Sequence, residues 1–199
     1  MLAESISVAL LVADILEDFG ILYAIGGSLS SAVHGVMRAT MDVDLVADLC
    51  QEHVEPLARA LGDVFYADVG MMRDAVRRHG SFNVIHLETM FKVDVFVAKP
   101  RAFDRAQLAR RQLYLLSEEP ERRAYVTSAE DIVLVKLERY RIGGENSDRQ
   151  WRDVQGVLKV QGGQLDRAYL KGMAADLGVS DLLDRAIVDA GMWQGRTVE

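Results

Sequence analysis

Cysteine is almost missing from this chain of 199 residues: Cys50 is the only one. An internal disulfide is therefore impossible, and a zinc site built on several cysteines is excluded. A lone thiol fits a reducing cytoplasm, and its expected place is in buried packing rather than in catalysis. The four histidines, His34, His53, His79 and His86, show no His-x-x-x-His spacing, which argues against a His-based zinc hydrolase. No stretch approaches the roughly 18–20 continuous apolar residues of a membrane helix, so no membrane association is expected. The start, Met1-Leu2-Ala3-Glu4, lacks the basic residues and short apolar core of a secretory signal, and the expected location is cytoplasmic. Positive charge is also in deficit, with 23 Lys+Arg against 30 Asp+Glu and a net charge of −7. Such a chain does not coat nucleic acid by bulk charge, although a local basic groove is compatible with it.

What is present describes a folded protein. Half the residues are hydrophobic and 27% are charged, a globular balance. The length suits one domain, or two small ones sharing an interface. Apolar residues at helical spacing predict a helix over 3–19, with Gly20 as its stop. The apolar run 21–25 predicts a buried strand, 30–36 a helix and 42–46 another strand. A helix over 52–61, with Pro56 in its first turn, follows. Then come a short strand at 64–66, a helix over 71–78 and two strands over 82–87 and 91–97. Beyond Pro100 the pattern becomes helical. Ser128 with Asp131 three positions later resembles a helix-opening cap, with Asp in place of the usual Glu or Gln. Helices are predicted to about 141 and over 147–160, 166–177 and 180–190. The expected architecture is α+β: a small mixed sheet with flanking helices over 1–100, then a mainly helical module over 101–199 packed on it.

Three acids stand out by position. Asp42 and Asp44 flank Val43, and residues two apart on a strand face the same side. Asp94 lies in the apolar run Phe-Lys-Val-Asp-Val-Phe-Val, where Lys92, Asp94 and Phe96 share one face. If the two strands are neighbours, three carboxylates converge. Anions that close repel one another unless a cation neutralises them, and hard oxygen ligands suit Mg²⁺ or Mn²⁺. Gly26-Gly27-Ser28 follows an apolar strand and precedes a predicted helix. Glycine lets backbone approach a ligand closely, a helix start offers N–H groups to an anion, and a serine hydroxyl adds a donor.

The ordered series Gly-Gly-Ser, Asp-x-Asp and a later Asp in an apolar strand resembles the nucleotidyltransferase superfamily related to DNA polymerase beta. The stretch from Gly35 through Arg38 and Thr40 to Asp42-Val43-Asp44-Leu45 is similar to its small bacterial members. Ser128-Ala-Glu-Asp-Ile-Val-Leu-Val-Lys136-Leu and Asp148-Arg-Gln-Trp-Arg-Asp153-Val resemble the helical half of the same group, which includes toxins of the abortive-infection type. The match spans roughly residues 20–160. It implies a mixed sheet with flanking helices, two metal ions (Mg²⁺ or Mn²⁺) and transfer of a nucleoside monophosphate from ATP or another NTP to a hydroxyl acceptor. By motif, Gly26, Gly27 and Ser28 would hold the triphosphate, and Asp42 and Asp44 would ligate metal. Asp94 would ligate the catalytic metal and help deprotonate the acceptor. Two cations about 3.5–4 Å apart clamp the attacking and leaving oxygens in such transfers.

The remaining residues carry open readings. Arg38 contacts phosphate, or pairs with a carboxylate and orders its loop. Lys136 either reaches phosphate as a point charge or snorkels to solvent. Asp153 positions Lys136 or Arg149, or lies on the surface. Trp151 reads as core with Val154 and Leu158, and Met71-Met72 reads as packing. Lys99, Arg101, Arg105, Arg110 and Arg111 against Asp104 give a basic segment, either a solvated helix face or a path for nucleic-acid backbone. The acceptor implied by the toxin resemblance is a tRNA end; a small molecule or a protein hydroxyl is compatible. A cognate antitoxin partner belongs to the same resemblance. The alternative is a nucleotide-binding or regulatory module that has kept the fold without turnover.

Overall fold

The computed structural model describes residues 2–35 and 42–192. They divide into two compact units, 2–29 with 42–127 and 30–35 with 128–192. The change of sequence pattern after Pro100 predicts a boundary near residue 100. The first unit instead runs to Thr127, because two further strands join its sheet.

The first unit contains α1 (Leu2–Asp18), β1 (Tyr23–Ile25), the start of α2 (Gly27–Val33), β2 (Asp42–Ala47), α3 (Gln51–Leu61), β3 (Phe65–Ala67) and α4 (Val69–Arg78). After these come β4 (Ser81–His86), β5 (Lys92–Val97), α5 (Ala102–Ala109), β6 (Gln112–Glu118) and β7 (Glu121–Val126). The seven described strands form one mixed sheet in the order β3-β4-β5-β2-β1-β7-β6. The β2–β5 and β1–β7 pairs are parallel, and the other four are antiparallel. Alternation along the strands decides which face is core. Val43, Leu45 and Ala47 on β2 and Val93, Val95 and Val97 on β5 are almost fully buried, while the residues between them are half-buried or exposed. Each buried aliphatic side chain contributes about 1.5–3 kcal/mol. Helix α1 contacts β1, β2, β6 and β7, and α3 and α4 pack on each other and on β3 and β4. Their apolar stripes, Val8, Val12 and Leu16 on α1 and Val54, Leu57 and Leu61 on α3, recur at helical spacing and are buried. Helix α3 begins at Gln51, so Pro56 falls in its second turn and not its first.

Strands β6 and β7 are the elements that the sequence pattern conceals. Leu113 and Leu115 on the edge strand β6 are exposed, and β7 opens with Glu121, Arg122 and Arg123. The charges are answered locally, Arg122 by Asp14 on α1 and Arg123 by Glu121 at 3.0 Å.

The second unit holds the rest of α2 with α6 (Ala129–Ile142), α7 (Asp148–Gln161), α8 (Arg167–Asp176) and α9 (Ser180–Asp189). Ser128 caps α6 as its spacing predicts: its Oγ accepts from the Asp131 N–H at 3.2 Å and donates to Asp131 Oδ2 at 2.7 Å. Asp131 Oδ1 accepts the Tyr169 hydroxyl at 2.6 Å, and Glu130 Oε1 accepts the Asp166 N–H at 2.9 Å. The acidic first turn of α6 thus sits where the helix dipole favours it and ties down the start of α8. Ile132, Val133, Leu134, Leu137, Val154, Val157, Leu158 and Leu170 fill the core between these helices. Gly35, at φ +121°, closes against α7, where a Cβ would lie 2.7 Å from the Val160 side chain. Trp151 is half-buried rather than core: its ring meets Tyr140 at 5.2 Å, Arg185 lies 4.2 Å above it, and its Nε1 donates to Asp189 at 3.2 Å.

In the first unit, Tyr23 on β1 is buried, edge-on to Tyr125 at 6.0 Å, and donates its hydroxyl to Glu17 at 2.6 Å. Burial, and then the bond to Glu17, push its phenol well above the usual tyrosine range. The folded state keeps this proton after the unfolded chain has released its own near pH 10, so stability falls as pH rises past about 10. Tyr23→Phe should be less stable at pH 8 by about 1 kcal/mol. It should also lose less between pH 8 and 10.5 in urea denaturation; an equally steep alkaline loss in the variant would remove Tyr23 as the cause.

Candidate active site

Strands β2 and β5 run parallel in strict register, with Asp42 opposite Lys92, Asp44 opposite Asp94 and Val46 opposite Phe96. Opposed residues on neighbouring strands, about 4.8 Å apart, share a face. Asp42, Asp44, Lys92 and Asp94 therefore stand together on the side of the sheet opposite to Val43, Val93, Val95 and Val97. On β4 the residues facing them are Asn83, opposite Asp94, and Ile85, opposite Lys92. The convergence of the three carboxylates follows from the period of two that the sequence shows and from the pairing of β2 with β5, which it does not.

The glycine turn is built against the same point. β1 is antiparallel to β2, so the chain leaving Ile25 arrives beside Asp44. The Gly26 N–H donates to the Asp44 carbonyl at 2.8 Å. Gly27 has φ +56°, and a Cβ on it would lie 1.7 Å from Asp44 Oδ2. Only glycine permits the Asp44 carboxylate to rest on this backbone. Ser28, the second residue of α2, is buried beside it in the chain.

One charged partner was not assigned from sequence. Lys92 Nζ lies 2.8 Å from Asp94 Oδ2. The bond to Asp94 raises the Lys92 pKa; partial desolvation opposes this, and the charges of Asp94, Asp42 and Asp44 add to it. The signal was available, since Lys92 and Asp94 are two apart on a strand. Asn83 carries no sequence signal, because its neighbourhood depends on the β4–β5 pairing.

Three carboxylates on one face are a hard-oxygen donor set suited to Mg²⁺ or Mn²⁺. Among the described residues, however, no three His, Cys, Asp or Glu side chains are closed around a common metal position. The donor chemistry fits a divalent cation, while the side-chain arrangement is one in which Asp94 is engaged by Lys92.

The other residues singled out in the sequence lie elsewhere. Arg38 falls outside the described residues. Lys136 and Asp153 belong to the second unit, where Nζ and Oδ2 meet at 2.8 Å with both side chains buried. In the basic segment, Arg101 pairs with Asp104 and lies over Phe103, and Arg111 lies 4.3 Å over Tyr125 and donates to the Leu108 carbonyl at 2.6 Å. Cys50 is exposed rather than buried, at the start of α3, with Sγ 3.3 Å from His53 Nδ1. It lines a cleft of about 520 Å³ with Arg73, Arg77 and His79, past the end of β2 that is opposite Asp42. Met72 is buried, but Met71 is half exposed. No described helix is long and apolar enough to cross a membrane.

No family model and no curated protein matches the chain by sequence. Solved structures do match. An antigenic nucleotidyltransferase-like protein from Paracoccidioides brasiliensis superposes with a TM-score of 0.58 at 15% identity, over 94% of this chain and 92% of that one. The chain has the nucleotidyltransferase fold. The antibiotic-resistance factor ANT(2'')-Ia matches with a TM-score of 0.54 at 11% identity, over 96% of each chain. The lincosamide antibiotic adenylyltransferase LnuA, solved with lincomycin, matches with a TM-score of 0.50 at 16% identity, over 74% of this chain and 92% of its own.

Two stability measurements test this placement within the nucleotidyltransferase fold. Gly27→Ala should cost about 2–3 kcal/mol in chemical denaturation, combining a left-handed backbone penalty with displacement of Asp44. Gly26→Ala, whose Cβ would meet nothing closer than 3.8 Å, should cost much less. Equal, small losses would contradict the seating of Asp44 on Gly27. Asp153→Ala removes the carboxylate beside a buried ammonium and should cost about 3–5 kcal/mol, most of it recovered in the Lys136→Met/Asp153→Leu double variant. A loss under about 1 kcal/mol would mean the pair is solvated.

Proposed function

We propose that the protein is a metal-dependent nucleotidyltransferase that moves a nucleoside monophosphate from an NTP to a hydroxyl acceptor. The observation that carries this is the alignment of Asp42, Asp44 and Asp94 on one face of two adjacent parallel strands, with the Gly26-Gly27 turn seated on Asp44. The shared fold with nucleotidyltransferases, two of which are antibiotic-resistance factors or antibiotic adenylyltransferases, supports the same class.

In this reading Asp42, Asp44 and Asp94 hold Mg²⁺ or Mn²⁺, whose charge offsets that of the triphosphate and of the departing pyrophosphate. Gly26, Gly27 and Ser28 are assigned to the triphosphate by motif, in a turn whose glycines let it pass close beside Asp44. The acceptor oxygen forms its bond to the α-phosphorus as the bond from that phosphorus to the bridging oxygen breaks in line, and pyrophosphate leaves. Asp94 is the carboxylate on hand to take the acceptor's proton. Arg38 is assigned to the triphosphate by motif. A nucleotide role for Lys136, with Asp153 holding it, is supported by the resemblance alone; packing accounts for their buried pairing.

The test is transfer of label from each α-labelled NTP, with Mg²⁺ or Mn²⁺, to separate pools of tRNA, protein and small hydroxyl compounds such as aminoglycosides. Transfer to one pool is expected, and Asp44→Asn and Asp94→Asn should each lower it by roughly a hundredfold or more. The melting temperature of Asp44→Asn should hold or rise, since removing one anion relieves repulsion. Absence of both transfer and NTP binding would end the enzyme reading. NTP binding without transfer to any pool would favour a regulatory module. Inhibition by a small co-purifying protein would add the antitoxin partner.

A further inference from the structure

Lys92 is a cation that the sheet itself builds into the carboxylate face. Register sets it opposite Asp42, and strand periodicity sets it on the same side as Asp94, with Nζ 2.8 Å from Asp94 Oδ2. Its side chain is 42% exposed and that of Asp94 is 23% exposed, so the pair is neither locked in a core nor fully solvated. On the neighbouring strand, the residues facing the pair are the neutral Asn83 and Ile85. The arrangement is local to one strand and needs no other element to hold it.

We propose that Lys92 is the resident counterion of this face: it holds Asp94 in the cation-free protein and gives it up when a divalent cation binds, so that it weakens binding of the metal alone. This inference rests on the metal-dependent reading above. Three carboxylates with no cation among them would repel one another, and a ready set of three would fill with any divalent ion in reach. An ammonium relieves the first problem and limits the second. It is a compact single charge on a flexible stem, without a fork geometry that fixes it to one partner. A divalent cation that also meets the oxygens of a triphosphate displaces it; a divalent cation arriving alone has to compete with it.

The experiment uses the full chain, with Mn²⁺ alone as the probe, read by calorimetry and by electron paramagnetic resonance. Lys92→Met should melt lower than the parent without metal, bind Mn²⁺ about fivefold more tightly, and gain more in melting temperature when Mn²⁺ is added. Lys92→Arg keeps the charge and adds a fork that can grip Asp94, so it should bind Mn²⁺ no more tightly than the parent. In an Asp94→Asn background, Lys92→Met should change Mn²⁺ affinity by less than about twofold, because the partner it competes for is gone. Lys92→Gln serves as the uncharged variant if Lys92→Met fails to fold. Equal or weaker Mn²⁺ binding by the uncharged variant overturns the counterion role and leaves the metal-site reading standing. Failure of both parent and variant to bind Mn²⁺, with or without ATP, overturns that reading and this inference with it.

Discussion

The carboxylate face is organised around the contact between Asp44 and the glycine turn. The Gly26 N–H holds the Asp44 main chain, and the Asp44 carboxylate occupies the space that a side chain on Gly27 would need. Because β2 is in register with β5, fixing Asp44 also fixes the positions opposite it, and Asp94 and Lys92 take their places from that register. The precision originates on the other side of the sheet. A one-residue slip of β5 would turn Val93, Val95 and Val97 outward and bring Lys92 and Asp94 into the core. Burial of Val93, Val95 and Val97 therefore specifies the geometry of the acids, although all three lie on the opposite face of the sheet.

The two lysine–aspartate pairs show how environment decides what an ion pair is for. Lys136 and Asp153 meet at 2.8 Å with both side chains almost wholly buried. Neither charge can leave without exposing the other to a medium that does not solvate it, so the pair acts as a fixed joint between α6 and α7. Lys92 and Asp94 meet at the same 2.8 Å, but water reaches both. Screening makes that bond weak and exchangeable. Equal distances thus describe a permanent contact in one unit and a replaceable one in the other.

Most of the fold's first half was legible because its strands obey a strict period of two. Asp42–Ala47 and Lys92–Val97 announce both their conformation and which residues share a face. The β6–β7 hairpin was not legible, for physical reasons. The edge strand β6 carries the unbroken apolar run Leu113-Tyr114-Leu115-Leu116, which shows no period of two, and β7 begins with three charged residues whose compensation by Asp14 and by Glu121 itself appears only after folding. The site was legible to the extent that its spacing is local: Asp42 with Asp44, and Gly26 with Gly27. Its cross-strand content was not, since the opposition of Asp44 and Asp94 spans 50 positions and depends on which strands become neighbours. The burial of Lys136 was hidden for a similar reason, as it depends on a partner 17 residues away.

The exposed position of Cys50 has a practical consequence for handling the molecule. As the chain's single thiol, held at the first turn of α3, it would accept one maleimide dye per protein at a defined place. It lies beyond the end of β2 opposite Asp42, a strand of six residues that spans roughly 20 Å. That separation is within the range of resonance energy transfer to a fluorescent nucleotide. Stored without reductant, the same thiol is open to oxidation by dissolved oxygen to a sulfenic acid, which a second molecule's Cys50 thiol condenses with to release water, so preparations left to air would accumulate disulfide-linked dimers.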